Sequence, residues 1–301
     1  MKSGFVAIIG RPNAGKSTLI NALVNSKIAI TTSKAQTTRN SILGILNNKD
    51  YQIVFIDTPG LHIPNTHLGS FMNKEALNQA LGADVIYYLV DAKTGLRNDD
   101  KDNLDKLFKD NENIFLLINK IDLISKDKLI ERLSYASSSY NFKEIIPISA
   151  LNKDNLDDLL NTTLNYLNDS VKYYPDDVLT PNTKKFEISE IIREKVLLNI
   201  DDEIPHLSAV NIDNLNETES KIEIEASIIV NKDSHKGIVI GKSGNMLKKI
   251  NGEASKELRR LLNKKVHLSL FVKVEEDWLN KDSKLFDLGY FIEKWLKRFK
   301  D

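Results

Sequence analysis

Short apolar runs recur along the first half of the chain, and segments with helical spacing separate most of them. Five runs have the length of a buried strand: residues 5–9, 51–56, 84–90, 113–118 and 144–149. Helices are predicted over 16–25, 71–81, 99–110, 126–138 and 155–167. Buried strands that alternate with helices predict a mostly parallel sheet covered on both faces. A polar turn joins 41–46 to 51–56, which predicts one antiparallel hairpin in that sheet.

The pattern changes near residue 170, where two prolines and several turn formers indicate a linker over 171–184. Beyond it the alternation of strands and helices stops. Helices are predicted over 186–200 and 246–263, and strands over 208–212, 221–230 and 266–274. The chain is therefore predicted to hold an α/β domain (1–170), the linker, a smaller α+β domain (185–290) and a tail (291–301).

Composition excludes several classes of protein. With 41% hydrophobic and 28% charged residues the chain is expected to be globular, and 42 basic residues balance 42 acidic ones. The absence of cysteine excludes disulfides, thiol catalysis and cysteine-ligated metals. No apolar run approaches the roughly 18 residues of a membrane span, so we expect a soluble cytoplasmic protein. We also expect a monomer.

The first strand is followed by GRPNAGKS, which fits the phosphate-binding pattern G-x-x-x-x-G-K-[ST] residue for residue. In such a loop the backbone N–H groups surround the phosphates. Lys16 supplies positive charge to the β- and γ-phosphates, and the Ser17 hydroxyl binds Mg²⁺. The predicted nucleotide contacts here are Gly10, Arg11, Pro12, Asn13, Ala14, Gly15, Lys16, Ser17 and Thr18.

Three further motifs follow the ends of later strands, at the edge where parallel sheets bind ligands. In Asp57-Thr58-Pro59-Gly60, the carboxylate is suited to hold Mg²⁺ through water and the Gly60 N–H to meet the γ-phosphate. In NKID, Asp122 can accept hydrogen bonds from guanine, Lys120 can cover the base and Asn119 can tie loops together. In the third motif, Ser149 precedes Ala150, whose N–H is predicted to meet guanine O6.

These four motifs, in this order, resemble a small GTPase of the translation-factor-related class. The resemblance implies GTP and GDP as ligands, with Mg²⁺. It also implies a threonine in the polar loop 31–40 that binds Mg²⁺ only when γ-phosphate is present. We assign this role to Thr38, with Thr37 as the alternative. The catalytic residues are then expected to be Lys16, Thr38 and Gly60.

Two positions bear on hydrolysis. Leu61 follows Gly60 where Ras-like proteins have a glutamine that orients water. Because leucine cannot hydrogen-bond, another group must place the water, or intrinsic turnover is slow. Asn13 matches a position that binds potassium in some related GTPases. We hypothesise that K⁺ at Asn13 does part of the work of an arginine finger; the alternative is that Asn13 only shapes the loop.

A second GKS, at 241–243, does not fit a phosphate loop, because three residues rather than four separate Gly237 from Gly241. What remains is a G-x-x-G pattern, Gly241-Lys242-Ser243-Gly244, before a long helix. This layout resembles a type II KH domain, whose loop clamps single-stranded nucleic acid. A KH domain needs a short helix before the loop, so we predict a helix in HKGIVI despite its β-branched residues, with Ser234 as a possible N-cap.

Charge is concentrated around this loop. Residues 232–265 hold ten Lys or Arg and three Asp or Glu, a net charge of +7 in a chain that is neutral overall. A clustered basic patch is typical of phosphate binding, although a solvated helix face would look similar. The predicted RNA-binding residues are Gly241, Lys242, Ser243, Gly244, Lys248 and Lys249.

A P-loop GTPase domain followed by a linker and a KH domain is similar to the bacterial Era family of ribosome-assembly GTPases. The likeness rests on GRPNAGKST, KAQTTRN, DTPG, NKID, PISA, SEIIREK, VIGKSGN and VHLSLFVKV. It implies GTP hydrolysis, binding to the 3′ end of 16S rRNA, a role in 30S subunit assembly and, in some members, peripheral contact with the inner membrane. The alternative is an RNA-binding module with a largely structural, slowly hydrolysing nucleotide site.

The tail adds one open question. Phe291, Trp295 and Phe299 are four residues apart and share one helical face, beside basic residues. Such a helix can touch a membrane surface or RNA, or it can pack back on the KH domain.

Overall fold

The computed structural model describes residues 1–32, 34, 37–201 and 203–290. The chain forms two compact units. The first contains residues 1–63 and 71–181, and the second contains 64–70 and the described residues from 182 onward. The predicted tail, 291–301, lies outside the described residues.

Up to residue 170 the chain alternates strands and helices as its apolar pattern predicts. The strands are β1 (Lys2–Gly10), β2 (Ile42–Asn47), β3 (Tyr51–Asp57), β4 (Val85–Asp91), β5 (Ile114–Asn119) and β6 (Glu144–Ile148). The helices are α1 (Lys16–Val24), α2 (His67–Leu81), α3 (Asn98–Asp110), α4 (Lys126–Ser139) and α5 (Leu156–Leu164).

The six strands form one sheet in the order β2-β3-β1-β4-β5-β6. Only β2 is antiparallel to its neighbour, which confirms the predicted hairpin. Consecutive residues of β1, from Val6 to Ile9, are fully buried, so both faces of the sheet are covered. The C-terminal ends of β1, β3, β5 and β6 therefore bring the four nucleotide motifs to one edge.

The segment that follows this sheet lies along its edge. The N–H of Ile45 in β2 donates to the carbonyl of Leu179 at 2.8 Å. The Gln52 side-chain oxygen accepts from the N–H groups of Tyr173 and Tyr174 at 2.7 and 3.0 Å. Most of the predicted linker thus covers an edge strand whose backbone groups would otherwise be open to other chains.

The second unit is a three-stranded sheet with helices on one face. Its elements are α6 (Lys184–Asn199), β7 (Ala209–Glu217), β8 (Lys221–Val230), α7 (Asp233–Ile240), α8 (Asn245–Leu262), β9 (Lys265–Val274) and α9 (Asp282–Asp287). Strand β8 pairs antiparallel with β7 and parallel with β9. Strand β7 runs past the predicted 208–212 because its pairing continues beyond a bulge between Ile212 and Asn214.

Helix α7 forms where strand propensity argues against it. Val239 is fully buried in the core of this unit, so tertiary packing outweighs the preference of its β-branched neighbours for a strand. The helix was predicted, but the cap was wrong. The helix begins at Asp233 with Lys232 in the cap position, and no side chain caps it. Ser234 already lies in the first turn, where its hydroxyl cannot adopt N-cap geometry.

Candidate functional site

The loop between β1 and α1 is shaped by two glycines. Gly10 has φ 151°, and a Cβ there would lie 2.3 Å from the Leu89 carbonyl oxygen. Gly15 has φ 101°, and its Cβ would lie 2.3 Å from Asn119 Nδ2. Lys16 Nζ donates to the carbonyls of Gly10 and Arg11 at 3.2 and 3.1 Å. The ammonium group is thereby held across a tight loop, as binding of a nucleotide's terminal phosphates requires.

Three predicted magnesium ligands converge beside this loop. Ser17 Oγ lies 2.8 Å from Thr38 Oγ1 and donates to Asp57 Oδ2 at 2.7 Å. Asp57 Oδ1 is buried and has no hydrogen-bond partner among the described residues. Oxygen donors and an unused carboxylate oxygen fit Mg²⁺. Thr37 instead donates to the carbonyl of Lys34 at 2.7 Å, so Thr38 is the threonine in this cluster.

Burial shifts the pKa values of the two charged groups in opposite directions. It lowers the pKa of Lys16 from 10.5 to about 8, although the Asp57 charge acts the other way. It raises the pKa of Asp57 from 3.8 to about 6, against the attraction of Lys16 and hydrogen bonds from Ser17 and Thr38. The protein therefore compensates each charge only in part. A bound phosphate would supply the missing negative charge beside Lys16, and a bound metal ion the missing positive charge beside Asp57.

The DTPG loop is fixed by hydrogen bonds to the backbone of β1. Thr58 Oγ1 donates to the carbonyl of Ile8 at 2.8 Å, and the Leu61 N–H donates to the carbonyl of Gly10 at 3.1 Å. The backbone at Gly60 lies so close to the phosphate loop that a Cβ on this residue would be 3.0 Å from Pro12 Cα. Leu61 is buried in the core on one face of the sheet. Its side chain is thus part of the packing and leaves the placing of water to another group.

Asn119 joins the loops that surround a nucleotide. Its Nδ2 donates to the carbonyl of Ala14 at 2.8 Å, and its Oδ1 accepts from the Ala150 N–H at 2.9 Å. The N–H that was predicted to meet guanine O6 therefore already has a partner in this structure. Asp122 Oδ1 accepts from Ser149 Oγ at 2.6 Å, which orients the carboxylate predicted to recognise guanine.

Two further side chains of the site end near the residues that lead from the end of β4 into α3. Lys120 Nζ donates to the carbonyl of Asn13 at 2.6 Å and to Asp91 Oδ2 at 2.8 Å. The side chain of Arg11, a predicted nucleotide contact, ends near Asp100 and the carbonyl of Gly95. Neither Asp91 nor Asp100 can be predicted from the sequence, because isolated acidic residues form no motif.

In the second unit the G-x-x-G loop has the backbone that glycine permits. Gly241 has φ 71°, and a Cβ there would lie 2.6 Å from Met246 Cβ. Gly244 has φ 76° and open space around it, so only its conformation requires glycine. Lys242 and Ser243 are exposed. The loop thus presents bare backbone and one cation to solvent.

The helix after this loop separates its charges. Lys248, Lys249 and three further basic residues of α8 are exposed: Lys256, Arg259 and Arg260. Glu257 forms an ion pair with Lys195 of α6, and Glu253 accepts from Asn199 at 2.6 Å. The acidic side chains of α8 thus turn toward α6, and exposed basic side chains dominate the helix. Such a surface attracts a phosphate backbone.

Comparisons with known proteins assign both units. Residues 5–120 match the family described as "50S ribosome-binding GTPase", and residues 203–279 match the KH domain family. The fold and site thus define a P-loop GTPase joined to a KH domain, as the sequence predicts.

No helix among the described residues has the length and apolar character that crossing a membrane requires.

Relatives that match nearly the whole chain show which family of GTPases it resembles. GTPase Era of Ruminiclostridium cellulolyticum is 47% identical over 294 residues, which cover 97% of this chain and 99% of that protein. A crystal structure of a variant of Aquifex aeolicus Era bound to GDP and AlF4⁻ is 36% identical, with a TM-score of 0.93, over 96% of this chain and 99% of that one. A structure of Era with MgGDPNP and nucleotides 1506–1542 of 16S ribosomal RNA matches equally well.

The chain belongs to the Era family of GTPases, which confirms the family predicted from its motifs. It is an enzyme that hydrolyses GTP.

Proposed function

We propose that this protein is a GTP-hydrolysing switch that binds 16S rRNA near its 3′ end and assists assembly of the 30S subunit. One observation carries this proposal: a single chain holds both a glycine-shaped loop, beside which Ser17 donates to Asp57, and an exposed G-x-x-G loop with a basic residue inside it. A relative with a TM-score of 0.93 was crystallised with MgGDPNP and the 1506–1542 segment of 16S rRNA. The family description that names the 50S subunit covers residues 5–120 only, without the KH domain.

For the nucleotide we propose the following roles. The backbone of 10–18 surrounds the phosphates, and Lys16 neutralises the β- and γ-phosphates. Ser17, Thr38 and Asp57 hold Mg²⁺, the last through water. Asp122, oriented by Ser149, selects guanine because adenine offers no matching pair of donors. Thr38 binds Mg²⁺ only when the γ-phosphate is present, and the Gly60 N–H meets that phosphate.

The catalytic water needs a partner other than residue 61. We propose that K⁺ near Asn13, which is exposed and lines the pocket in front of the phosphate loop, stabilises charge in the transition state. Turnover of wild type and Asn13→Ala is measured in KCl and in NaCl. Wild type is expected to be faster in KCl and the variant to lose that difference; identical rates in all four conditions would end the idea.

For RNA we propose that Gly241, Lys242, Ser243 and Gly244 clamp the backbone, assisted by Lys248 and Lys249. The test is the affinity of the full chain for an RNA fragment of the 16S 3′ end. Gly244→Asp places a carboxylate at φ 76° in the loop and is expected to weaken binding at least tenfold. Gly252→Asp, in open space on α8, is the control with the same added charge. Equal affinity of Gly244→Asp and wild type would refute the clamp.

The remaining expectations concern the chain as a whole. We propose a cytoplasmic monomer with the domain limits predicted above, namely 1–170, 171–184, 185–290 and a tail of 291–301. Peripheral contact with a membrane would rest on that tail, which lies outside the described residues. Deleting the tail and measuring binding to vesicles and to rRNA separates its three possible roles; no change in either favours packing on the KH domain.

A further inference from the structure

Residues 91–97, from the last residue of β4 to the residue before α3, accept hydrogen bonds from side chains of both halves of the nucleotide site. None of them was singled out by a motif, and none lines the described pocket in front of the phosphate loop. We call this segment the brace. Arg11 links the brace to the phosphate loop (residues 10–17), and Lys120 links it to the loop after β5 (residues 119–122), which we call the base loop.

The phosphate loop reaches the brace through Arg11. The guanidinium donates to the carbonyl of Gly95 at 3.0 Å, and its Nε lies 3.4 Å from Asp100 Oδ1. Asp100 is 1% exposed and also accepts from Tyr88 Oη at 2.8 Å and from the Arg97 N–H at 2.8 Å. A buried carboxylate with these partners is a rigid attachment for the arginine.

The base loop reaches the brace through Lys120. Its Nζ lies 2.8 Å from Asp91 Oδ2, and the backbone adds a second link, in which the Ala92 N–H donates to the carbonyl of Asn119 at 2.7 Å. Because the partly buried ion pair fixes the position of the ammonium group, it also restricts the conformation of the aliphatic part of the Lys120 side chain.

The brace is stiff between these two attachments. The Asp91 side chain accepts from the Lys93 N–H at 2.8 Å, and the Asp91 carbonyl accepts from the Gly95 N–H at 2.7 Å. Gly95 has φ 64° and takes the left-handed conformation that closes this turn. Arg132 of α4 donates to the carbonyl of Lys93 at 3.0 Å. The turn is thus closed by hydrogen bonds within the segment and by one further hydrogen bond from α4.

We propose that the brace keeps the phosphate loop and the base loop at a fixed separation, with Arg11 and Asp91 as positioning residues for nucleotide binding. Two direct links run in parallel, from Asn119 to Ala14 and from Lys120 to Asn13. Cutting the brace therefore weakens nucleotide binding without abolishing it. Because the two attachments act in series along one path, cutting the second costs little once the first is lost.

The test measures dissociation of fluorescent GDP from wild type, Arg11→Gln, Asp91→Asn and the double variant. Each single variant is expected to release GDP about five- to tenfold faster, the order expected for a lost charged hydrogen bond with parallel links intact. The double variant is expected to resemble the singles. Arg11→Lys, which keeps one donor but not the fork, is expected to lie between wild type and Arg11→Gln.

Asp99→Asn is the control, because it is exposed and lies in the first turn of α3 beside Asp100. The inference is overturned if the effects of the two substitutions multiply in the double variant, or if both singles stay within twofold of Asp99→Asn. Thermal unfolding of the nucleotide-free proteins separates positioning from a general loss of stability. The inference rests on the nucleotide site proposed above: that site fails if wild type does not bind GDP, whereas the brace fails if wild type binds and the variants match it.

Discussion

The carboxylate of Asp57 is expected to destabilise the nucleotide-free protein, so Asp57→Asn should stabilise it. Burial raises the pKa of Asp57 from 3.8 in the unfolded chain to about 6 in the folded one. The folded state thus binds this proton more tightly, and stability falls as pH rises from 3.8 towards 6. Above that window the carboxylate is charged and fully buried, and the attraction of Lys16 with the hydrogen bonds from Ser17 and Thr38 does not fully offset that burial.

The expected change in the free energy of unfolding follows from the two pKa values of Asp57, in the unfolded chain and in the folded protein. Each tenfold change in proton affinity corresponds to about 1.4 kcal/mol, so the shift from 3.8 to about 6 corresponds to about 3 kcal/mol at pH 7.5. Asparagine also removes the attraction that Asp57 provides to Lys16, so the net gain in the free energy of unfolding is expected at about 1–3 kcal/mol. At pH 4.5 most of the folded carboxylate is already protonated, and the gain shrinks to about 1 kcal/mol or less.

The assay is urea unfolding of nucleotide-stripped wild type and Asp57→Asn in EDTA at pH 7.5 and 4.5. Asp50→Asn, an exposed residue of the β2–β3 turn, is the control and should change stability by less than about 0.5 kcal/mol. Addition of MgGDP should reverse the order, because only wild type gains the metal. A lower stability of Asp57→Asn than of wild type at pH 7.5, or an equal gain at both pH values, would show that the buried carboxylate does not destabilise the protein.

Three further predictions concern the same site. Thr38→Ala should lose affinity for MgGDPNP more than for MgGDP, whereas Thr37→Ala should not discriminate between them; equal losses in both variants would contradict the assignment. Calorimetry at pH 8 in buffers of different ionisation enthalpy should show proton uptake on GDP binding, because phosphate restores the pKa that burial of Lys16 lowers to about 8; a heat independent of buffer would argue against it. Gly15→Ala should cost at least tenfold in GDP affinity, since its Cβ would lie 2.3 Å from Asn119 Nδ2, and wild-type affinity would disprove the close approach.

Much of the first unit was predictable because its information is local. Buried strands appear as continuous apolar runs, and each nucleotide motif follows one of them directly, so chain order alone brings the motifs to one edge. The short helix α7 was predicted from its place before the G-x-x-G loop and against its own propensity. Burial of Val239 supplies the physical reason that propensity lacked.

What the sequence left out depends on contacts between distant residues. Arg11 ends on residues more than 80 positions away, and Lys120 pairs with Asp91 across 29 positions. No periodicity encodes such pairs. The length of β7 depends on a bulge that only pairing with β8 reveals, and the cap of α7 on one residue's backbone conformation. The burial of Leu61 follows from packing of the whole sheet face.

If GTP binding and RNA binding belong to one switch acting on the small subunit, crosslinking of the full chain to ribosomal RNA with either GDPNP or GDP bound shows this most directly. We expect crosslinks from the 241–244 loop to the 3′ end of 16S rRNA, and more of them with GDPNP than with GDP. Crosslinks confined to 50S rRNA, or a yield that does not change with the nucleotide, would contradict it.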